Sequence, residues 1–411
     1  MENLDNCRER VCPLCNKLSV FKGILFLGNV FASGDIFPNS KISSIDEDGY
    51  AQGDCTMDMQ QCQQCGLVYN MAFDKNKMLK VYTSGEYYQQ KYFTDRLSKT
   101  LMQTKDKIKN YANVNDVFLE IAPGHGDLLV ALAKESKRVY SVDPSPTSLV
   151  VKDIDNVIHI QSFFEIDVIR EKIKEPINFI IFRHLLEHIE QPYYFLKDVV
   201  DFVSDEGKIY MEVPNATKIM ESKIFYDFYH DHVSYFQRDT LVGVMYELGC
   251  KLIDEIYPYN GMWMGLFFEK TREVQMGKLQ VQCFDGVDFS KDIALMNTYL
   301  SQAKSIVLWG GGIHSNSLLG FIAKENLKKI KKCVDINPDK QGRFLQKSCI
   351  QIVGLDDKEL KNIDCILMSA PLHEENIFTN EVLLLYKKGV MPNLKSVILT
   401  AGGIKRLIFK G

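Results

Sequence analysis

The sequence predicts an α/β protein with a doubly wound parallel core, a cysteine-rich lobe before it and a smaller α/β unit after it. Three observations lead there. Two CxxC pairs stand near the N-terminus, apolar strand runs alternate with glycine turns and helices from Val117 onward, and the same pattern starts again at Ser305. At 411 residues the chain exceeds one ordinary core. We place the boundaries at 1–75, 76–300 and 301–411. The composition, 46% hydrophobic and 25% charged, is that of a globular protein. A net charge of -4 gives no electrostatic reason to expect a nucleic-acid partner. No apolar run approaches membrane-spanning length, and Met1 to Asp5 lack the basic start of a signal peptide. The expectation is a cytoplasmic protein without a membrane partner.

Cysteines come first along the chain. Six of the 11 precede residue 66, and four form the pairs Cys12-Pro13-Leu14-Cys15 and Cys62-Gln63-Gln64-Cys65. Two residues between thiolates suit a tight knuckle aiming both sulfurs at one tetrahedral ion, so two knuckles predict a closed, structural zinc site. Residues 16–61 separate the pairs and are expected to form a sizeable inserted lobe, with Cys7 and Cys55 as alternative ligands.

The first α/β unit opens after a polar, aromatic-rich stretch from Val81 to Phe93 and a lysine-dotted helical pattern reaching about Tyr111. Val117-Phe118-Leu119-Glu120-Ile121 is a buried-strand run, Ala122-Pro123-Gly124-His125-Gly126 a turn, and Asp127 to Ala133 an apolar helix. Val139-Tyr140-Ser141-Val142-Asp143 is a second strand ending in an acid. Glycines let a backbone approach a ligand at a helix N-terminus, and the acid accepts hydrogen bonds from ribose hydroxyls, so the pairing fits a ribose-containing cofactor. Taken alone, the glycines equally serve a turn. Further strands are expected at Ile158 to Gln161, Ile177 to Phe182 and Lys208 to Pro214. An NAD site would place a third glycine where Leu129 stands.

Beyond the core, Ser305 to Trp309 is a strand, Gly310-Gly311-Gly312 its turn, Ser317 to Ile322 its helix, and Lys332 to Asp335 the next strand. This is a second, smaller Rossmann-like unit, and a conformational role for its glycine turn is favoured over a second cofactor site.

These motifs, with Arg183-His184-Leu185-Leu186-Glu187-His188-Ile189-Glu190-Gln191-Pro192 after the fourth strand, resemble the class I S-adenosylmethionine methyltransferases. The resemblance implies that Glu120, Gly124 and Gly126 line the methionine side of the cofactor. It further implies that Asp143 holds the ribose and that Phe163 or Phe164 lies near the adenine. The order of lobes is similar to that of the nucleotide-sugar C-methyltransferases over nearly the whole chain. The match rests on the CxxC pairs with Cys65-Gly66-Leu67-Val68, on Tyr229-His230-Asp231-His232-Val233-Ser234-Tyr235-Phe236, and on the run Val334 to Leu345.

What the narrower resemblance implies is a small-molecule substrate, a nucleotide-linked 4-keto-deoxyhexose. A carbon next to its ketone is deprotonated and then methylated. His232 takes the position of the family's proposed base, Asp231 the acid beside it and Tyr229 the phenol facing the sugar. His188 matches a further active-site histidine, and Tyr82 falls in the aromatic-serine segment, from which Tyr87 and Tyr88 are not separable. Imidazole titrates near neutrality, so a cluster of this composition suits proton removal. His230, Tyr235 and Phe236 are read as supporting residues.

The chain departs from that family where His314 stands in place of a lysine, where Pro371-Leu372-His373 replaces a Trp-Asn pair, and where Pro123 replaces a glycine. His314 and His373 are therefore open between recognition of a different phosphate or sugar group and exposed loop. Two other functions stay in view. One is O- or N-methylation of a related sugar or natural product, and the other is a binding protein that keeps the fold without catalysis. The oligomeric state is left open, with a monomer compatible with the sequence.

Overall fold

The computed structural model describes residues 8–31, 53, 55–83, 95–271, 279–284, 287, 289–346 and 348–409. In chain order the strands are β1 Arg8–Val11, β2 Leu18–Val30, β3 Cys55–Cys62, β4 Val68–Asn70, β5 Val117–Ile121, β6 Arg138–Val142, β7 Val157–Ile160, β8 Ile177–Arg183 and β9 Val203–Pro214. They continue with β10 Ser234–Tyr235, β11 Cys250–Ile256, β12 Trp263–Lys270, β13 Ile306–Trp309, β14 Ile330–Val334, β15 Gln351–Val353, β16 Cys365–Met368, β17 Ser396–Leu399 and β18 Lys405–Ile408.

The central sheet runs β11-β12-β9-β8-β5-β6-β7. Its five expected strands, β5 to β9, are mutually parallel, while β12 and β11 add antiparallel at one edge. This is an α/β, Rossmann-like fold with mixed sheets. The near-continuous apolar strands are explained by burial on both faces. Phe118 of β5 stacks on Phe179 of β8 at 5.3 Å, and both are buried. The second strand ends one residue earlier than expected, so Asp143 lies just past it, and the fifth begins at Val203.

Between the cysteine pairs, the described residues form β2 and β3, paired antiparallel in the order β1-β2-β3-β4-β10. Each CxxC closes a hairpin the same way. Asn16 N–H donates to Cys12 O at 3.0 Å and Gly66 N–H to Cys62 O at 2.9 Å. Asn16 and Gly66 both adopt left-handed backbone, φ 54° and 77°, which a tight knuckle requires. The last member, β10, comes from far along the chain and pairs with Val68 and Tyr69.

The third sheet runs β15-β14-β13-β16-β17-β18, parallel except for β18. Its first helix spans Ile313–Leu319, directly behind Gly312 and earlier than the expected Ser317 to Ile322. Asp335, at the end of β14, accepts the Gly311 N–H at 2.8 Å on Oδ2, and Lys340 Nζ lies 3.6 Å from the same oxygen. The acid therefore braces its own turn. Among the described residues no helix is long and apolar enough to cross a membrane.

Gly126 heads the helix Asp127–Ala133 with φ 76°, and a Cβ there would meet Val151 Cγ1 at 2.2 Å. Gly126→Ala is expected to lower stability by about 1–3 kcal/mol. Urea denaturation checks this, and an unchanged midpoint at unchanged slope contradicts it.

Candidate active site

Two strand ends of the central sheet carry strained backbone. Ala122 after β5 has φ 54° and His184 after β8 has φ 49°. Non-glycine residues in this region cost free energy and gather at functional sites, and the carboxyl ends of a parallel sheet are where such folds bind ligands.

At the first of these ends, Glu120 is buried and its Oε2 has no hydrogen-bond partner among the described residues. Burial pushes its carboxyl up to about 7, with Arg183 as the main opposing charge. A buried, unpartnered carboxylate beside a glycine turn fits a ligand that brings donors. Asp143 accepts Ser145 N–H at 2.7 Å on Oδ1 and Gly124 N–H at 3.3 Å on Oδ2, which ties the acid to the turn. Burial raises its pKa, partly offset by those two bonds. Phe163 is exposed. Phe164 is half-buried and packs edge-on against Phe195 and Phe202 at 5.8 and 6.1 Å.

A charged group that the sequence reading passed over lies at the second end. Glu212 is buried in β9; Arg183 Nε donates to its Oε1 at 3.0 Å, Tyr210 Oη donates to its Oε2 at 2.6 Å, and His184 Nε2 lies 3.2 Å from Oε1. Burial would raise the Glu212 carboxyl, yet Arg183 and His184 hold it well below its ordinary range. Burial would likewise lower His184, but bonding to Glu187 and Glu212 raises it to about 9, so it is an imidazolium at neutral pH. An acid inside an otherwise apolar strand, Tyr210-Met211-Glu212-Val213, was the available signal.

Facing this group is the segment that carries Tyr229 to Phe236. His188 and His232 meet edge-on with ring centres 4.7 Å apart, and Tyr229 meets His232 at 5.1 Å. His188 Nδ1 donates to the Asp231 carbonyl oxygen at 3.0 Å, which fixes its tautomer and leaves Nε2 as an acceptor when the ring is neutral. Burial, followed by the nearby His188 and His184, pushes His232 well below its ordinary pKa. His232 is therefore neutral, with Nδ1 buried and without a hydrogen-bond partner among the described residues. Glu187, His188 and His232 also bring ligand atoms within 4.8 Å of one another, a spacing that would admit a cation.

The remaining members are braces. His230 Nδ1 donates to Thr56 O at 2.9 Å and Nε2 accepts Asp74 N–H at 3.3 Å, so both nitrogens are used against the N-terminal sheet. Tyr235 Oη accepts Tyr229 N–H at 2.8 Å and donates to Asp227 O at 3.1 Å. Asp231 is buried. Tyr82 lies in the helix Lys75–Thr83, but its side chain, like Tyr87 and Tyr88, is outside the described residues.

Cys12, Cys15, Cys62 and Cys65 come together with all four sulfurs within 4.8 Å of one another. Cys55 is buried at the start of β3 and is not in this group, and Cys7 is outside the described residues.

Residues 86–255 match a family model described as a methyltransferase domain. Over those residues the chain carries a methyltransferase domain. No curated protein matches this chain in sequence. Among solved structures, it is similar to the N-methyltransferase NodS from Bradyrhizobium japonicum WM9 in complex with S-adenosylhomocysteine, at 12% identity and TM-score 0.35. That likeness covers 43% of this chain and 88% of NodS. Magnesium protoporphyrin IX methyltransferase from Synechocystis PCC 6803 is similar at 10% identity and TM-score 0.38, covering 48% and 100% of the two chains. The 1,6-didemethyltoxoflavin-N1-methyltransferase of Burkholderia thailandensis is similar at 13% identity and TM-score 0.36, over 48% and 86%.

Glu120 yields a pH prediction for the protein. Its folded pKa of about 7 lies above the ordinary 4.5, so the folded state holds the extra proton between those values. Stability of the ligand-free protein then falls as pH rises through that window, by on the order of 3 kcal/mol. Urea denaturation at pH 5 and pH 8 is expected to show this fall in the wild type and a smaller one in Glu120→Gln. Identical falls in both contradict it.

Proposed function

We propose that this protein is an S-adenosylmethionine-dependent methyltransferase that methylates carbon, acting next to the ketone of a nucleotide-linked keto-deoxysugar. The observation that carries the reading is His232: a neutral, half-buried imidazole whose Nδ1 is buried without a hydrogen-bond partner among the described residues, edge-on to His188 and beside Tyr229. When bound, S-adenosylmethionine supplies an electrophilic methyl group. Glu120, Gly124, Gly126 and Asp143 hold it, with Phe163 or Phe164 toward the adenine. His232 removes the proton from the carbon beside the ketone, leaving that carbon nucleophilic. A base positioned in this way contributes about 10² to 10⁴ in rate. His188 and Asp231 hold the base through the bond from His188 Nδ1 to the Asp231 carbonyl, Tyr229 faces the sugar, and Tyr82 joins the catalytic set from the aromatic-serine segment.

The same reading divides the chain at 1–75, 76–300 and 301–411 and gives the last part to the sugar nucleotide. It assigns a structural zinc ion to Cys12, Cys15, Cys62 and Cys65. Four thiols in mutual reach on two matching knuckles are the donor set such an ion takes, and a site closed by four thiolates serves folding.

Two experiments test these assignments. Methyl-labelled S-adenosylmethionine offered with dTDP-, GDP- and CDP-linked keto-sugars is expected to give a product whose NMR spectrum places the label on carbon. His232→Ala is expected to lower that turnover by about 10² to 10⁴ while calorimetry finds cofactor binding retained. Label on oxygen or nitrogen, or full turnover in the variant, contradicts the mechanism. Elemental analysis is expected to find about one zinc per chain, lost in the Cys12→Ser, Cys62→Ser double variant together with stability. A stable, metal-free wild type contradicts the zinc assignment.

A further inference from the structure

Asp227 closes the short turn Phe225–Asp227 just before Tyr229. Its Oδ1 accepts two hydrogen bonds, from Tyr229 Oη at 2.6 Å and from His314 Nε2 at 3.1 Å. An ionised carboxylate oxygen only accepts, so both partners turn a hydrogen toward it. His314 belongs to the first turn of the helix Ile313–Leu319, behind the glycine turn of the third sheet. Its ring stands edge-on to Tyr226 at 5.8 Å and tilted toward Tyr229 at 6.5 Å. The histidine and the acid are partly shielded, with side chains 24% and 13% exposed. Tyr235 fastens the same turn from the other side through Tyr229 N–H and Asp227 O. One side chain from the helix behind the third sheet's glycine turn thus reaches Asp227 and, through it, Tyr229.

A phenol has a single proton. With that proton directed to Asp227, Tyr229 has only oxygen lone pairs left for anything else it meets. It then accepts hydrogen bonds and does not donate one to an oxyanion. We propose that His314 is a positioning residue: by holding Asp227 it keeps Tyr229 as a hydrogen-bond acceptor, and the methyl acceptor therefore presents a hydroxyl or amino N–H donor beside the reacting carbon. This rests on the reading above in which Tyr229 faces the substrate. It gives a specific task to the histidine that stands where the resembling family carries a lysine.

The test has a substrate-free arm and a kinetic arm, both on the full chain. In the first, NMR of ¹⁵N-histidine and ¹³C-tyrosine protein is expected to show His314 protonated at Nε2 in the wild type, with that signal shifted in Asp227→Asn. The Tyr229 ring signal is expected to move in His314→Ala and to return in His314→Gln, whose amide also donates. In the second, the best keto-sugar acceptor is compared with its deoxy analogue lacking the donor. His314→Ala is expected to lower kcat/KM for the first by about tenfold, for the analogue by less than about twofold, and to cost nothing further in a Tyr229→Phe background. An unmoved Tyr229 signal, or an equal loss in the Tyr229→Phe background, overturns the proposal. If no keto-sugar is methylated by the wild type, the proposed function has failed, and the NMR arm alone decides the coupling of His314 to Tyr229.

Discussion

The site depends on one constraint: the segment from Phe225 to Phe236 contains little regular structure of its own and is held from three sheets at once. Ser234 and Tyr235 pair with β4 of the N-terminal sheet. Asn215 bridges to Phe236 beside the end of β9, and Ala216 N–H donates to Phe236 O. On the side of the third sheet, Tyr226 Oη lies 2.5 Å from Thr400 Oγ1 and Phe225 meets Phe321 edge-on at 4.9 Å. Irregular backbone can be buried only when its polar groups find partners, and here each sheet supplies some of them. The N-terminal sheet, the end of β9 and the third-sheet unit thereby hold the segment that carries Tyr229 and His232.

The second organising effect is electrostatic. At the end of the central sheet the buried Glu187 and Glu212 meet the half-buried Arg183 and His184, and these ion pairs hold Glu212 ionised and His184 protonated. Burial, followed by the neighbouring His188 and His184, keeps His232 neutral. One environment thus pushes two histidines in opposite directions, His184 toward a fixed charge and His232 toward a proton acceptor. Such divergence is what separates acid and base roles inside one site. The strained backbone at His184 fits the same arrangement, since a left-handed residue after β8 turns its ring toward Glu212 and against Trp263, 4.5 Å away.

Much of this was legible in the residues. The parallel strands β5 to β9 were expected within a few residues because apolar runs buried on both faces leave a continuous signal, as in Phe179-Ile180-Ile181-Phe182. The four cysteines were legible because a knuckle is a local motif. The clustering of His188 with His232 followed only from the family resemblance, since their separation in the chain says nothing of ring contact. Hidden altogether were the partners contributed by distant segments. Asp227 is an unremarkable acid in the sequence until His314 meets it across 87 positions, and β10 is two residues long, too short for any periodicity. The helix behind Gly312 began earlier than its apolar run because polar His314, Ser315 and Asn316 occupy its first turns, and the latter two are buried. That shift puts His314, open in the sequence between recognition and exposed loop, in the first turn of the helix and against Asp227.

The central claim is that His232 takes a proton from carbon before any methyl is transferred. Hydrogen exchange isolates that step. With S-adenosylhomocysteine in place of the methyl donor, the wild type in D₂O is expected to exchange the hydrogen on the carbon beside the ketone of its keto-sugar, and His232→Ala to leave it at the uncatalysed rate. Equal exchange in both proteins would contradict the account.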